Sequence, residues 1–260
     1  MEPLNRGSGA AVLPLTEGLT LAVAAFLAGA LNAAAGGGSF LTLPALMSGG
    51  VLPVAANATG TVALLPGYLA AAWAGRHELR APQGLSLRGL LLLALAGGAA
   101  GAWLLTRTPD RLFAGLAPWL LLAATLLFAV QPWLLGRLRD PANIPRGVAV
   151  ATLLAVCAYG GYFNGGLGIL LLASLALLGL QALHAANALK NLISGVLTGV
   201  AVVVYVAAGA VQWTEALWMM AFATAGGYAG GRGARRLPAP LLRAGIVVVG
   251  LTMALLLARA

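Results

Sequence analysis

NAAAGGGSFLTLPALMSGGVLPVAANATGT occupies residues 32–61, and YFNGGLGILLLASLALLGLQALHAANALKN occupies residues 162–191. The two stretches read as copies of one module. At a constant offset of 130, Gly36 aligns with Gly166, Gly38 with Gly168, and Ala55, Ala56 and Asn57 with Ala185, Ala186 and Asn187. Further along, Gly97, Gly98 and Gly101 align with Gly226, Gly227 and Gly230 at an offset of 129. One short match in so Ala-, Gly- and Leu-rich a chain is chance, but several in register indicate a duplicated fold.

The 260 residues are 61% hydrophobic and 8% charged, and the mean hydropathy is +0.95. Soluble domains do not have this composition. Apolar runs long enough to cross a bilayer recur along the chain, and the alternation of a β-barrel is absent. The expectation is an all-α polytopic membrane protein. The run 19–31 continues without a convincing cleavage site, so no cleaved signal peptide is expected. The net charge of +9 reflects arginines in short loops between apolar runs, which reads as topology control rather than nucleic-acid binding. The single cysteine, Cys157, lies in an apolar run and reads as a small core residue. No Cys/His cluster has metal-ligand spacing, so neither metal nor cofactor is expected.

About eight transmembrane segments are expected, at roughly 17–47, 53–74, 86–105, 111–135, 147–178, 182–208, 213–231 and 239–258. The first and fifth are overlong, and each is expected to be a broken helix, interrupted at Gly36-Gly37-Gly38 and at Asn164-Gly165-Gly166. The first repeat is 1–135, the linker 136–147 and the second repeat 148–260. Arg76, Arg80, Arg88, Arg137, Arg139 and Arg146 fit a cytoplasmic N-terminus. Arg232, Arg235, Arg236 and Arg243 would then face outward, which leaves open whether the halves are parallel or inverted.

Lys190 is the only lysine in the chain, and it falls inside the sixth span. A cation near the bilayer midplane costs about 2.5–3.5 kcal/mol on insertion scales, so it faces a cavity or a partner. The six acids all fall in loops or at span ends, which makes a bound anion its natural partner. His184, Asn187, Lys190, Asn191, Ser194 and Thr198 form one polar stripe on an apolar helix. In the first half the stripe is Asn57, Thr61 and Tyr68, with Gly60 where Lys190 stands in the repeat. Interhelical hydrogen bonding accounts for Asn57 and Thr61 as well, but not for the whole second stripe.

The glycine runs suggest how an anion is held. Gly36, Gly37 and Gly38 before Ser39 end one helix and start another, whose free amides and dipole attract anions. Asn164, Gly165, Gly166 and Gly168 do the same in the second half. Interrupted segments at equivalent places in two halves point to a transporter's substrate site. The later glycines, from Gly97 and Gly226 onward, are assigned to packing. His77, beside Arg76 and Glu78, reads as a loop residue, and His184 reads as a structural residue with a possible coupling role. No nucleophile–base pair, phosphate loop or carboxylate dyad is present, so no enzyme is expected.

NAAAGGGSFLTLPALM followed by PVAANATGT, and NGGLGILLLASL followed by HAANALKNLISG, resemble the TauE/SafE sulfite exporter family over nearly the whole chain. The resemblance implies a multi-pass protein of the bacterial inner membrane, built from two related halves. It also implies transport of small anions, sulfur-containing oxyanions or organosulfonates such as sulfite and sulfoacetate. Carried onto this sequence, the implicated positions are Asn32 and the run to Ser39 with Asn57 and Thr61, and Asn164 to Gly168 with Asn187 to Asn191. Two other classes compete. A non-transporting scaffold or assembly subunit has no need of an intramembrane lysine. A cation-coupled carrier of other organic anions would use a proton or Na⁺ as partner, and a carrier whose substrate is itself a cation is disfavoured by the lack of intramembrane acids.

Overall fold

A computed structural model of the chain describes residues 13–34, 37–82, 84–137, 145–180, 182–233 and 239–259. Among the described residues there are ten α-helices and no strand. They are α1 (Leu15–Ala34), α2 (Ser39–Ser48), α3 (Pro53–Ala74), α4 (Leu87–Arg107), α5 (Asp110–Arg137), α6 (Arg146–Tyr162), α7 (Leu167–Leu177), α8 (Leu183–Ala207), α9 (Trp213–Gly233) and α10 (Ala239–Arg259). The chain is an all-helical, multi-pass membrane protein.

The expected first span corresponds to α1 and α2 together, and the fifth to α6 and α7 together. Five of the helices, α1, α3, α4, α5 and α8, are both long and apolar enough to cross a bilayer. With 10 and 11 residues, α2 and α7 reach only about 15–17 Å, half of a hydrocarbon core of about 30 Å. Gly36 and most of the expected linker, residues 138–144, lie outside the described residues.

Local sequence explains several helix ends. Pro53 opens α3, where its missing N–H would have no partner in any case. The Val54 amide that follows donates to Asp110 Oδ1 at 2.9 Å, so an acid in the first turn of α5 also caps α3. Ser86 caps α4 by accepting from the Gly89 amide at 3.1 Å. After α6 the backbone turns left-handed at Asn164 (φ 61) and Gly166 (φ 71). Among L-residues asparagine tolerates that region best, and glycine enters it freely. The helix therefore stops at Tyr162 and restarts at Leu167.

α1 lies along α9 and α4 lies along α6, while α3 crosses α8 and α5 crosses α10. α2 packs on α3 and α10, and α7 packs on α8 and α5. Exchanging the first five helices for the last five returns these same neighbours. Glycines set the two long seams. A Cβ on Gly29 would run into the Ala223 carbonyl and one on Gly226 into the Phe26 carbonyl. On the α4–α6 seam, Gly101 meets the Ala158 carbonyl and Gly161 the Gly98 carbonyl. Backbone thus touches backbone, as in membrane helix pairs held by small residues.

The distribution of polarity is inverted relative to a soluble domain. Leu92 is 65% and Trp119 69% exposed, whereas Asn57, Asn164, Lys190, Ser194 and Thr198 are buried. Arg76 stacks over the Trp73 ring at 4.5 Å and Arg107 over Trp103 at 5.3 Å, the cation–aromatic pairing of a membrane boundary. Gly101→Val and Gly226→Val should each lower the thermal midpoint of the detergent-solubilised protein by roughly 5 °C or more. Gly67→Ala, with nothing within 4 Å of the added methyl, should leave it unchanged. Tryptophan-fluorescence melts decide this, and equal midpoints for all three variants would refute the backbone-contact seams.

Candidate functional site

The two interruptions meet at the centre of the helix packing. A Cβ on Gly37 would stand 3.0 Å from the Phe40 ring, and one on Gly166 would stand 3.5 Å from that ring's Cζ. Phe40 therefore fills the space between the first interruption and the second. Gly37, Gly38 and Ser39 are buried, as are Gly165, Gly166 and Gly168. Gly38 also serves packing, because a Cβ there would come within 2.9 Å of the Ala28 carbonyl. Neither α2 nor α7 carries a side-chain cap at its start.

Polar side chains hold the second interruption from several directions. Asn57 Nδ2 donates to the Tyr162 carbonyl at 3.0 Å. The Tyr68 hydroxyl donates to Asn164 Oδ1 at 3.3 Å. Tyr159 donates to the Gly165 carbonyl at 2.6 Å, and Tyr205 donates to the Gly161 carbonyl. These bonds meet the carbonyls that the end of α6 leaves without helical partners. Two donors, Asn57 and Tyr68, come from the first half, so the interruption of one half is held by the other.

The second-half stripe lies on α8 where it crosses α3. A Cβ on Gly195 would sit 3.8 Å from Tyr68 Cβ, which places Ser194 and Thr198 in the core beside that crossing. Lys190 is 1% exposed, and no hydrogen bond or ion pair to its ammonium occurs among the described residues. Asn187 and Asn191 are half-buried. His184 is exposed in the first turn of α8, apart from the buried group. In the first half Thr61 donates to the Asn57 carbonyl of its own helix at 2.8 Å. Gly60, the counterpart of Lys190, faces Thr42, whose Oγ1 would lie 2.7 Å from a Cβ at that position. Gly36 is the one expected site residue outside the described region.

Among the described residues, six buried polar atoms have no hydrogen-bond partner: Asn32 Oδ1, Ser39 Oγ, Asn57 Oδ1, Asn164 Nδ2, Ser194 Oγ and Thr198 Oγ1. Three come from each half, and five of the six residues were marked by the sequence as site residues. Thr198 was placed on the stripe only. These unpartnered atoms comprise one amide donor, three hydroxyls and two amide oxygens that accept. Among the described residues no three His, Cys, Asp or Glu side chains gather to hold a metal ion. The described cavities lie elsewhere. One of about 710 Å³ is lined by Leu19, Val23, Leu27, Leu41, Met47 and Met253 among others, and one of about 330 Å³ adjoins it at Thr16, Glu17 and Ser48. Tyr159 and Tyr205 escaped sequence reading. Their only signal is a tyrosine inside an apolar run, which interfacial tyrosines share.

The family model for the sulfite exporter TauE/SafE matches residues 21–257. A Sinorhizobium protein named "Probable membrane transporter protein ORF9" is 30% identical over 239 residues, covering 90% of each chain. A Haemophilus influenzae protein named "Probable membrane transporter protein" is 29% identical over 240 residues, covering 88% of this chain and 89% of its own. No solved structure matches the chain. With the family model covering almost the full length of this helical, glycine-interrupted chain, the protein is a membrane transporter and belongs to the TauE/SafE sulfite exporter family.

Proposed function

We propose that the protein moves small oxyanions, sulfur-containing ones or organosulfonates such as sulfite and sulfoacetate, across the bacterial inner membrane. The observation that carries this reading is Lys190, a buried cation with no counter-charge among its described contacts, in a protein with two helix starts that carry no side-chain cap. A buried, unmatched ammonium is unfavourable unless an anion meets it. Each buried polar group left without a partner costs about 1–3 kcal/mol. Six of them rival the whole stability of a domain, about 5–15 kcal/mol, so a group of this kind is built to receive something. The donor-rich set, Lys190 with Asn164, Ser39, Ser194 and Thr198, matches the acceptor shell of an oxyanion. Gly37 to Ser39 and Gly165 to Gly168 add the amide ends of two helices.

The proposed substrate path runs between the repeats 1–135 and 148–260, with eight crossings in all. The exchangeable set of helix neighbours supports that division. Asn32 Oδ1 and Asn57 Oδ1 accept rather than donate, which favours a coupling partner of positive charge, a proton or Na⁺, at the first-half side of the site. A scaffold without transport would gain nothing from Lys190.

Three measurements follow. Titration calorimetry of the purified protein with sulfite, sulfoacetate, sulfate and a carboxylate should find at least one anion that binds. Lys190→Ala should weaken that binding about tenfold or more, and Lys190→Arg should be intermediate, since a planar guanidinium does not replace a compact ammonium. Unchanged affinity in Lys190→Ala would remove the lysine from the site. Lys190 is also the only lysine, so an impermeant amine reagent should label the folded protein at its N-terminus alone. A second label should appear after denaturation in dodecyl sulfate, and intact-mass spectrometry reads both states. Two labels on the folded protein would show an exposed lysine and contradict the burial.

A further inference from the structure

We propose that Tyr68 and Asn164 form a short hydrogen-bond chain that fixes the Asn164 amide with its NH₂ group toward the substrate. Asn164 then acts as a substrate donor and Tyr68 as its positioning residue. The inference rests on the anion-carrier reading above and deepens it.

An asparagine side chain has two faces of opposite character, and rotation by half a turn about its last bond exchanges them. In an anion site that rotation replaces a donor by a repelling acceptor. Something must therefore set the orientation. The Tyr68 hydroxyl has one proton, and its oxygen accepts as well. The Tyr68 proton is directed to Asn164 Oδ1, at 3.3 Å. With Oδ1 engaged, Asn164 Nδ2 is the free end of the chain, and it is a buried atom with no partner among the described residues.

The backbone supports this role. Asn164 adopts φ 61, a left-handed conformation that only glycine adopts freely among ordinary residues. Glycine already occupies the next two positions. An asparagine retained in a turn where glycine fits better is there for its side chain. Tyr68 is 1% exposed and sits at the α3–α8 crossing beside Gly195, so its ring has no freedom to follow a reoriented amide. Hydrogen bonds in a chain of this kind polarise one another, which strengthens the terminal donor.

The test uses the full-length protein in detergent, with sulfite and sulfoacetate as probes, by titration calorimetry alongside thermal melts. Asn164→Asp replaces the NH₂ group by an oxygen of equal size, and Asn164→Gly removes the side chain while suiting the left-handed turn. Each should weaken binding about tenfold to a hundredfold, and Asn164→Gly should keep the wild-type melting temperature within a few degrees. Tyr68→Phe should weaken binding severalfold. In the Asn164→Gly background, Tyr68→Phe should have no further effect on affinity, because the amide it orients is gone. A purely structural tyrosine would weaken binding equally in both backgrounds, and that result overturns the chain. Wild-type affinity in Asn164→Gly overturns it as well. Lys190→Ala, titrated in parallel, separates the two claims. If it loses affinity while the Asn164 variants do not, the anion site stands and the chain falls. If wild type binds neither probe, both fall.

Discussion

The constraint on which the structure depends is that no water is available in the hydrocarbon region to satisfy a free backbone group. A continuous helix meets this constraint by itself, and an interrupted one does not. Where α6 ends at Tyr162 and α7 begins at Leu167, carbonyls are released that another part of the protein must bind. Asn57 takes the Tyr162 carbonyl, Tyr159 that of Gly165 and Tyr205 that of Gly161. The tyrosines are suited to this work, since each carries one donor at the end of a large apolar ring. The interruption is therefore tolerable only because α3 and α8 cross beside it.

Glycine also sets the two long seams of the packing. The seams between α1 and α9, and between α4 and α6, bring main chain against main chain at Gly29, Gly226, Gly101 and Gly161. In a bilayer, apolar surface gains little from leaving lipid for protein, so association rests on close packing and interhelical hydrogen bonds. Small residues permit the approach, and the approach gathers the polar side chains.

Much of this was legible in the sequence. Composition decided the fold class, and the run Asn164-Gly165-Gly166 falls where α6 has ended and α7 has yet to begin. The solitude of Lys190 among fourteen arginines marked a residue that is buried. The details that escaped depend on three-dimensional neighbours. Tyr159 and Tyr205 look, in sequence, like any tyrosine near a membrane boundary, and only the fold shows which carbonyl each one meets. His184 lies on the same helical stripe as Lys190 but falls in the first exposed turn of α8. Periodicity assigns a residue to a face and says nothing of how far along the helix the neighbours reach. The Gly38 contact with the Ala28 carbonyl also shows one glycine serving a turn and a packing surface together, which spacing alone does not separate.

Gly60 carries a consequence for energetics across the membrane. The duplicated architecture offers two equivalent places for a cation, yet a side chain at Gly60 would collide with Thr42. The helix neighbours exchange between the two halves, but Lys190 has only Gly60 as its counterpart. On the proposed reading, and in a cycle where no coupling cation accompanies the substrate, a monovalent anion bound to a protonated Lys190 makes a complex with no net charge, whereas the unloaded protein carries one. The membrane potential, worth about 2.3 kcal/mol per charge per 100 mV, would then act on the unloaded reorientation and scarcely on the loaded one. Voltage would set the return half of the cycle, and the polarity of the cell would rectify the flux.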